Sequence, residues 1–122
     1  MADMRILVVD DEPAVAEVLA ESIRASGYEA LVALDGTEAL DVLAATTVDG
    51  VFMDLVMPGL NGLAVLAQIR NRHPRLPVVV ISGHAAGEIA VQAKELGAVA
   101  VLQKPTALSQ LSEALSKVRP VG

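Results

Sequence analysis

The sequence predicts an α/β domain with a doubly wound parallel sheet, in which five strands and five helices form three layers. Short apolar runs alternate with helix-length amphipathic stretches five times along the 122 residues, and this alternation is typical of parallel sheets covered by helices on both faces. The chain is 53% hydrophobic but only 2% aromatic, so the predicted core is aliphatic, as in buried parallel strands. We expect residues 1–122 to form a single domain.

The predicted strands are short, mostly apolar segments that end at or just before a charged residue or a glycine. They are Ile6–Val9, Ala30–Leu34, Val48–Met53, Pro77–Ile81 and Ala98–Leu102. All are far shorter than the roughly 20 apolar residues of a membrane span. The sequence therefore predicts no contact with a membrane.

The predicted helices fill the intervals between these strands. The first is expected to begin near Pro13 and to stop at Gly27, the short second helix follows Gly36, and the fourth is expected from about Ala86 to Leu96. Apolar residues at helical spacing are expected to share one face of each helix. These residues are Val15, Val18, Leu19 and Ile23 in the first helix, Ala39, Leu40 and Leu43 in the second, Leu63, Leu66 and Ile69 in the third, and Leu108, Leu111, Leu115 and Val118 in the last.

Composition and charge exclude several classes of function. The chain has no cysteine, which excludes disulfides and thiolate metal sites and is compatible with a reducing cytoplasm. Its formal net charge of −6 argues against direct binding to nucleic acid or to an anionic membrane. We therefore expect a cytoplasmic protein without direct contact to nucleic acid.

Polar residues follow four of the five predicted strands: Asp10 and Asp11 after the first, Asp54 after the third, Ser82 after the fourth and Lys104 after the fifth. In open α/β sheets, ligands bind at the carboxyl ends of the strands, where the strand order reverses. With a strand order of 2-1-3-4-5, the three aspartates converge at this point, and Ser82 and Lys104 lie on its far side.

This set of residues suits phosphoryl transfer. Crowded carboxylates repel one another unless a cation joins them, and Mg²⁺ prefers hard oxygen ligands. A carboxylate can also act as a nucleophile and form an aspartyl phosphate. The transferred group carries negative charge on its oxygens, which a metal, a lysine and a hydroxyl donor can each stabilise.

Four segments, in this order and at these spacings, resemble the response-regulator receiver family of two-component signalling over essentially the whole chain. They are Ile6–Glu12, Asp54–Gly62, Val80–Gly83 and Lys104-Pro105. The resemblance implies a flavodoxin-like fold with the strand order 2-1-3-4-5. It also implies that a histidine kinase or a histidine phosphotransfer protein is the phosphoryl donor.

The resemblance assigns a role to each matching residue. Asp54 is the expected phospho-acceptor, and Asp10 and Asp11 hold Mg²⁺ together with Asp54 and the main-chain carbonyl of Val56. Ser82 is the expected switch hydroxyl and Lys104 the cation that pairs with the phosphoryl group, with a cis peptide before Pro105.

The resemblance also implies a mode of output. Members of the family assist their own phosphorylation and dephosphorylation without being metabolic enzymes. A surface made of the fourth helix, the fifth strand and the fifth helix is expected to control a downstream protein or an output domain. The expected oligomeric state is a monomer or a weak dimer linked to phosphorylation.

Two positions depart from the family pattern. Receivers usually carry an aromatic residue or histidine where this chain has Val101, and often phenylalanine where it has Thr106. Valine is short and stiff at χ1, so we expect phosphorylation to move Ser82 and the segment Gly83–Gly87 without a rotamer exchange at Val101.

Simpler interpretations remain for individual residues. Glu12 is expected to act only as an acid at the positive end of a helix dipole, and Asp35 as a turn or cap residue. His84, two residues after Ser82, is expected to be an exposed loop residue, although it could border the phosphoryl site.

Three other functions compete with the receiver interpretation. An aspartate-dependent phosphohydrolase would need a second acid where Val56 stands. A flavodoxin-type carrier is opposed by the scarcity of aromatic residues and by the clustered acids. A pseudo-receiver that is never phosphorylated is opposed by the complete set of site residues.

Overall fold

The computed structural model describes residues 4–55, 62–83, 87–104 and 108–118, and at residues 108 and 109 only the main chain. Strands and helices alternate throughout these ranges. The strands are β1 (Arg5–Val9), β2 (Glu29–Ala33), β3 (Gly50–Met53), β4 (Val78–Ser82) and β5 (Ala100–Gln103). The helices are α1 (Pro13–Ala25), α2 (Gly36–Ala45), α3 (Gly62–Arg72), α4 (Glu88–Glu95) and α5 (Leu108–Val118). Each predicted element is present, with ends that differ by a residue or two.

The strands form one parallel sheet in the order β2-β1-β3-β4-β5. β1 lies between β2 and β3, and its last residue, Val9, is in register with Ala33 on one side and Met53 on the other. Further along the sheet, Ser82 of β4 is in register with Gln103 of β5. The predicted fold class and strand order are confirmed. The chain reverses its winding direction between β1 and β3, which is where such sheets bind ligands.

Side chains that alternate along the strands enter two hydrophobic clusters, one on each face of the sheet. The helix residues of the first, which we call the α2–α3–α4 layer, are Ala39, Leu43, Val65, Leu66, Ile69 and Ala93. Those of the second, the α1–α5 layer, are Ala16, Ala20, Ile23, Leu111, Ala114, Leu115 and Val118. Phe52 is fully buried in the α1–α5 layer, among aliphatic side chains.

Helix α1 buries a different face from the one that its larger apolar residues suggested. Ile23 is buried as expected, but it shares the inner face with Ala16 and Ala20. Val15 and Val18 are 36% and 64% exposed, so their grouping with Ile23 as an inner face is wrong. Small alanine side chains allow the helix backbone to lie close to the sheet, which leaves the valines at the rim.

The residues at the ends of α1 and α2 adopt the capping conformations that the sequence predicted. The Asp35 carboxylate accepts a hydrogen bond of 2.7 Å from the main-chain N–H of Glu38 and caps α2, which confirms its predicted role. Gly27, the predicted stop of α1, has φ +96°, a value that glycine adopts without strain. In the part of the chain described here, no helix is both long and apolar enough to cross a membrane.

Candidate functional site

Three of the predicted site residues are the first residues after their strands, and main-chain hydrogen bonds fix each of them. The N–H of Asp10 donates to the carbonyl of Ala33 at 3.1 Å, that of Asp54 to Val9 at 2.9 Å, and that of Lys104 to Ser82 at 3.0 Å. These bonds extend the sheet ladder beyond β1, β3 and β5. The Cα positions at this edge are therefore held by the sheet itself rather than by loops.

The alternation of side chains along the strands places the site residues on different sides of the sheet. Asp10, Asp54 and Lys104 continue the series of residues that point into the α1–α5 layer. Ser82 continues the series of Val80, which packs in the α2–α3–α4 layer. The site therefore spans the sheet edge, with its charged groups toward α1 and its hydroxyl toward α4.

One lysine joins two buried carboxylates. The Nζ of Lys104 lies 2.7 Å from Oδ2 of Asp10 and 2.8 Å from Oδ2 of Asp54. Asp10 and Asp54 are only 3% and 7% exposed, whereas a quarter of the lysine side chain is exposed. Although β5 lies on the far side of the sheet from β1, as the sequence predicted, the long lysine side chain reaches the acids.

The surroundings of Lys104 hold it in its charged form. Burial is the largest single effect and lowers its pKa, but hydrogen bonds and Coulombic attraction from Asp10 and Asp54 together outweigh burial and raise the pKa above its ordinary value. The side chain is therefore an ammonium at neutral pH. It offsets part of the charge that the acids carry.

A cluster of carboxylates lies beside this ion pair. One carboxylate oxygen each from Asp10, Asp11 and Glu12 lies within 4.8 Å of the others. Asp10 also accepts a 3.0 Å hydrogen bond from the main-chain N–H of Glu12, which orients its second oxygen. Carboxylate oxygens are the hard donors that magnesium prefers, so the chemistry of this cluster suits the ion. Asp54 is connected to the cluster through Lys104, and Val56, the predicted carbonyl ligand, lies outside the described residues.

Glu12 is the residue that sequence reasoning did not connect with the acidic cluster. It occupies the N-cap of α1, yet its side chain makes no capping hydrogen bond. The signal that could have revealed this grouping was the run of three consecutive acids before Pro13.

The hydroxyl side of the site is fully buried. Ser82 has no exposed surface, and Val101 is a partly buried residue packed against the same α2–α3–α4 layer. Val101 is in register with Val80, two residues before Ser82. Three residues of the sequence-based predictions, His84, Pro105 and Thr106, lie outside the described part of the chain.

A cavity of about 650 Å³ opens beside the charged groups, next to α1. Asp10, Asp54 and Lys104 contribute to its lining, together with Val15 and Val18 of α1. Asp10 and Asp54 therefore lie at the wall of this cavity although they are almost fully buried.

Comparison with known proteins identifies the family. The family model for the response regulator receiver domain matches residues 6–116, which is most of the chain. This protein is a response-regulator receiver domain. The predicted family is confirmed, and the chain is a signalling module of two-component systems.

Known relatives show how far the receiver domain extends. The response regulator MprA of Mycobacterium avium is 42% identical over 108 residues, which are 88% of this chain and 47% of MprA. A putative NtrX-like response regulator of Rickettsia felis is 36% identical over 107 residues, or 86% of this chain and 22% of that protein. The receiver domain therefore spans less than half the length of these relatives.

Solved structures share the fold. The receiver domain of NtrX from Brucella abortus superposes with a TM-score of 0.87 at 37% identity, covering 93% of this chain and 96% of that one. The response regulator TrrA of Thermotoga maritima, solved in complex with Mg²⁺ and BeF, superposes with a TM-score of 0.84 at 32% identity, covering 95% and 99% of the two chains.

Proposed function

We propose that this receiver domain accepts a phosphoryl group on Asp54 from a histidine kinase or a histidine phosphotransfer protein, in a reaction that depends on Mg²⁺. The observation that carries this proposal is the ammonium of Lys104, which lies between the buried carboxylates of Asp10 and Asp54 beside a cluster of further acids. Residues 1–122 serve as one receiver module in this proposal.

Asp54 is suited to act as the nucleophile. A carboxylate oxygen of Asp54 attacks phosphorus and forms an acyl-phosphate bond, while the bond from phosphorus to the donor imidazole nitrogen breaks and that nitrogen keeps the electron pair. Lys104 already lies 2.8 Å from Asp54, so its ammonium can move to an oxygen of the incoming group without leaving the site. The buried hydroxyl of Ser82 supplies a hydrogen bond from the opposite face of the sheet.

The acids fit a magnesium ion by their chemistry. Asp10, Asp11 and Asp54 would hold it, with the Val56 carbonyl as a further ligand, and the ion would neutralise charge on the phosphoryl oxygens. Asp10 serves two cations in this arrangement. Its Oδ2 pairs with Lys104 at 2.7 Å, and its Oδ1 is oriented by the Glu12 N–H.

The proposal is tested by incubating the chain with acetyl phosphate and Mg²⁺ and measuring intact mass. We expect the gain of one phosphoryl group per chain, and no gain when EDTA removes the metal. A chain that stays unmodified under these conditions contradicts the proposal. Hydrolysis of phosphate monoesters, which are not phosphoryl donors to receivers, over many turnovers would instead support a phosphohydrolase.

Magnesium is expected to stabilise the folded chain, because the unfolded chain has no assembled site. At a concentration ten times the dissociation constant, mass action adds about 1.4 kcal/mol to the free energy of unfolding. Thermal denaturation with and without millimolar Mg²⁺ measures this gain as a rise in Tm. The Asp11→Asn variant should lose most of the rise, whereas Asp41→Asn, the same change at an exposed position of α2, should keep it. An unchanged Tm of the wild type on addition of Mg²⁺ would contradict the proposed metal site.

The remaining parts of the proposal concern output and location. The surface of α4, β5 and α5 controls a downstream protein or an output domain, and the chain acts in the cytoplasm as a monomer or a weak phosphorylation-linked dimer. Supporting this output surface, Ser82 and Val101 both face the layer that contains α4. Val101 is too small to exchange between two distinct places, so in this receiver domain the displacement passes through Ser82 and the segment that follows it.

A further inference from the structure

Arg70, near the end of α3, donates hydrogen bonds to four main-chain carbonyls in two places. Toward α4, its Nε lies 3.1 Å from the carbonyl of Leu96 and its Nη2 lies 3.1 Å from that of Gly97. Within its own helix end, its Nη1 lies 2.9 Å from the carbonyl of Pro74 and 3.3 Å from that of His73. A single guanidinium thus joins the C-terminal ends of α3 and α4.

This contact satisfies groups that a helix cannot satisfy by itself. The carbonyl of Leu96, the C-cap of α4, and that of Gly97 beyond it lie past the end of the helix and have no partner within it, and a cation at this end also complements the helix dipole. Only arginine presents enough donors in one plane to reach several carbonyls at once. Gly97 belongs to the same arrangement, because it has φ +91° and an added Cβ would lie 2.7 Å from the Nε of Arg70.

The rest of α4 is weakly held. Among its residues only Ala93, in the C-terminal half, is buried, while Val91 is 56% exposed. The N-cap, Gly87, has φ +76° and provides no side-chain hydrogen bond. In the N-terminal turn, Ile89 is only partly buried against the α2–α3–α4 layer, whereas the C-terminal half has buried Ala93, partly buried Leu96 and the hydrogen bonds from Arg70. More of the contacts of α4 with the domain therefore lie at its C-terminal end.

We propose that Arg70 is the fixed point of α4, so that displacement of this helix swings its N-terminal turn while its C-terminal end stays on α3. We call the contact of Arg70 with Leu96 and Gly97 the anchor, and the displacement of the N-terminal turn of α4 the swing. The swing rests on the proposed phosphorylation of Asp54, whereas the anchor does not. Ser82 ends β4 and precedes the N-terminal end of α4 in the sequence, and Arg70 contacts the opposite end of that helix. A displacement of Ser82 would therefore tilt α4 about its C-terminal end rather than translate the whole helix.

The anchor is tested by amide hydrogen exchange without any phosphoryl group. In Arg70→Met, we expect amides of residues 92–98 to exchange roughly tenfold faster or more than in the wild type, with amides of β1 following only the change in global stability. Arg72→Met removes an exposed arginine from the same helix and should leave these amides unchanged. Gly97→Ala disturbs the contact from the other side and should accelerate the same amides. Unchanged exchange in Arg70→Met, or equal acceleration in Arg72→Met, overturns the anchor.

The swing is tested with Mg²⁺ and beryllofluoride, a stable phosphoryl mimic, by NMR of methyl groups. In the wild type, the methyl shifts of Ile89 should change at least about twofold more than those of Leu96, and Arg70→Met should make the two changes comparable. A Leu96 response as large as that of Ile89 in the wild type overturns the swing. A different combination is that the hydrogen-exchange result supports the anchor while the wild type neither responds to beryllofluoride nor takes up a phosphoryl group. That combination contradicts the proposed function but not the anchor.

Discussion

The Asp54→Asn variant is expected to take up no phosphoryl group from acetyl phosphate and Mg²⁺, with a rate at least about a hundredfold below that of the wild type. An amide is a poor nucleophile toward phosphorus, and Asp54 is the buried carboxylate that lies within hydrogen-bond distance of Lys104 at the end of β3. The fold should survive, because Lys104 keeps Asp10 as a partner at 2.7 Å. Intact mass over a time course measures the uptake.

Two controls make this result specific. Asp41→Asn carries the same substitution on the exposed side of α2 and should be phosphorylated at the wild-type rate. Urea denaturation of Asp54→Asn should give a free energy of unfolding within about 1 kcal/mol of the wild type, because the lost ion pair is offset by reduced repulsion between carboxylates. Phosphoryl uptake by folded Asp54→Asn at the wild-type rate would show that another residue is the acceptor.

Replacing Lys104 by methionine is expected to lower the free energy of unfolding at neutral pH by about 2–4 kcal/mol. The substitution removes the ammonium that lies between two buried carboxylates, which are 3% and 7% exposed. Removing one partner of a buried ion pair typically costs about 3–5 kcal/mol, and the partial exposure of Lys104 reduces this figure. Urea denaturation measures the loss.

The origin of this loss can be separated from a general packing defect. In the double variant Lys104→Met with Asp54→Asn, part of the stability should return, since one of the two neighbouring buried negative charges is removed. Mg²⁺ should also recover part of it by supplying positive charge. Lys117→Met, at an exposed lysine of α5, should change stability by less than about 0.5 kcal/mol. If Lys104→Met is as stable as Lys117→Met, the lysine does not offset the charge of the acids.

The sheet was predictable because its signals are local. Each strand is a short, mostly apolar segment with a charged residue or a glycine at or near its C-terminal end. The residues that follow β1, β3 and β5 are the ones that meet at the sheet edge. The strand order was not a consequence of these local patterns; it came from the family resemblance. The predicted β3 and β5 each began two residues too early. Val48 and Ala98 are apolar and buried, but they precede Gly50 and Ala100, the first residues of these strands.

The inner face of α1 was not predictable from hydrophobicity. The series Val15, Val18, Leu19 and the series Ala16, Ala20 both have helical spacing and both are apolar. The larger residues would bury more surface, but the smaller ones allow closer approach to the sheet. Which of the two faces is buried depends on the distance between the helix and the strands, and this distance cannot be read from the sequence.

Side-chain reach explains two features of the structure that the sequence left open, one at the site and one at the opposite end of the sheet. Lys104 was placed on the far side of the sheet by its strand, yet its four-carbon chain brings the ammonium to Asp10 and Asp54. The contacts of Arg70 could not be predicted from the sequence, because an arginine in the last turn of a helix is common. Its partners, Leu96 and Gly97, lie 26 and 27 residues away and are recognised only in three dimensions.

The aliphatic core determines how this receiver domain can be observed. With no tryptophan, one tyrosine and one phenylalanine in the sequence, its near-ultraviolet fluorescence comes from Tyr28. Tyr28 precedes β2, at the end of the sheet opposite to Asp54, and is therefore a poor reporter of events at the acids. The methyl groups of Val9 and Met53, which immediately precede Asp10 and Asp54 in buried strands, are the natural spectroscopic probes of that edge.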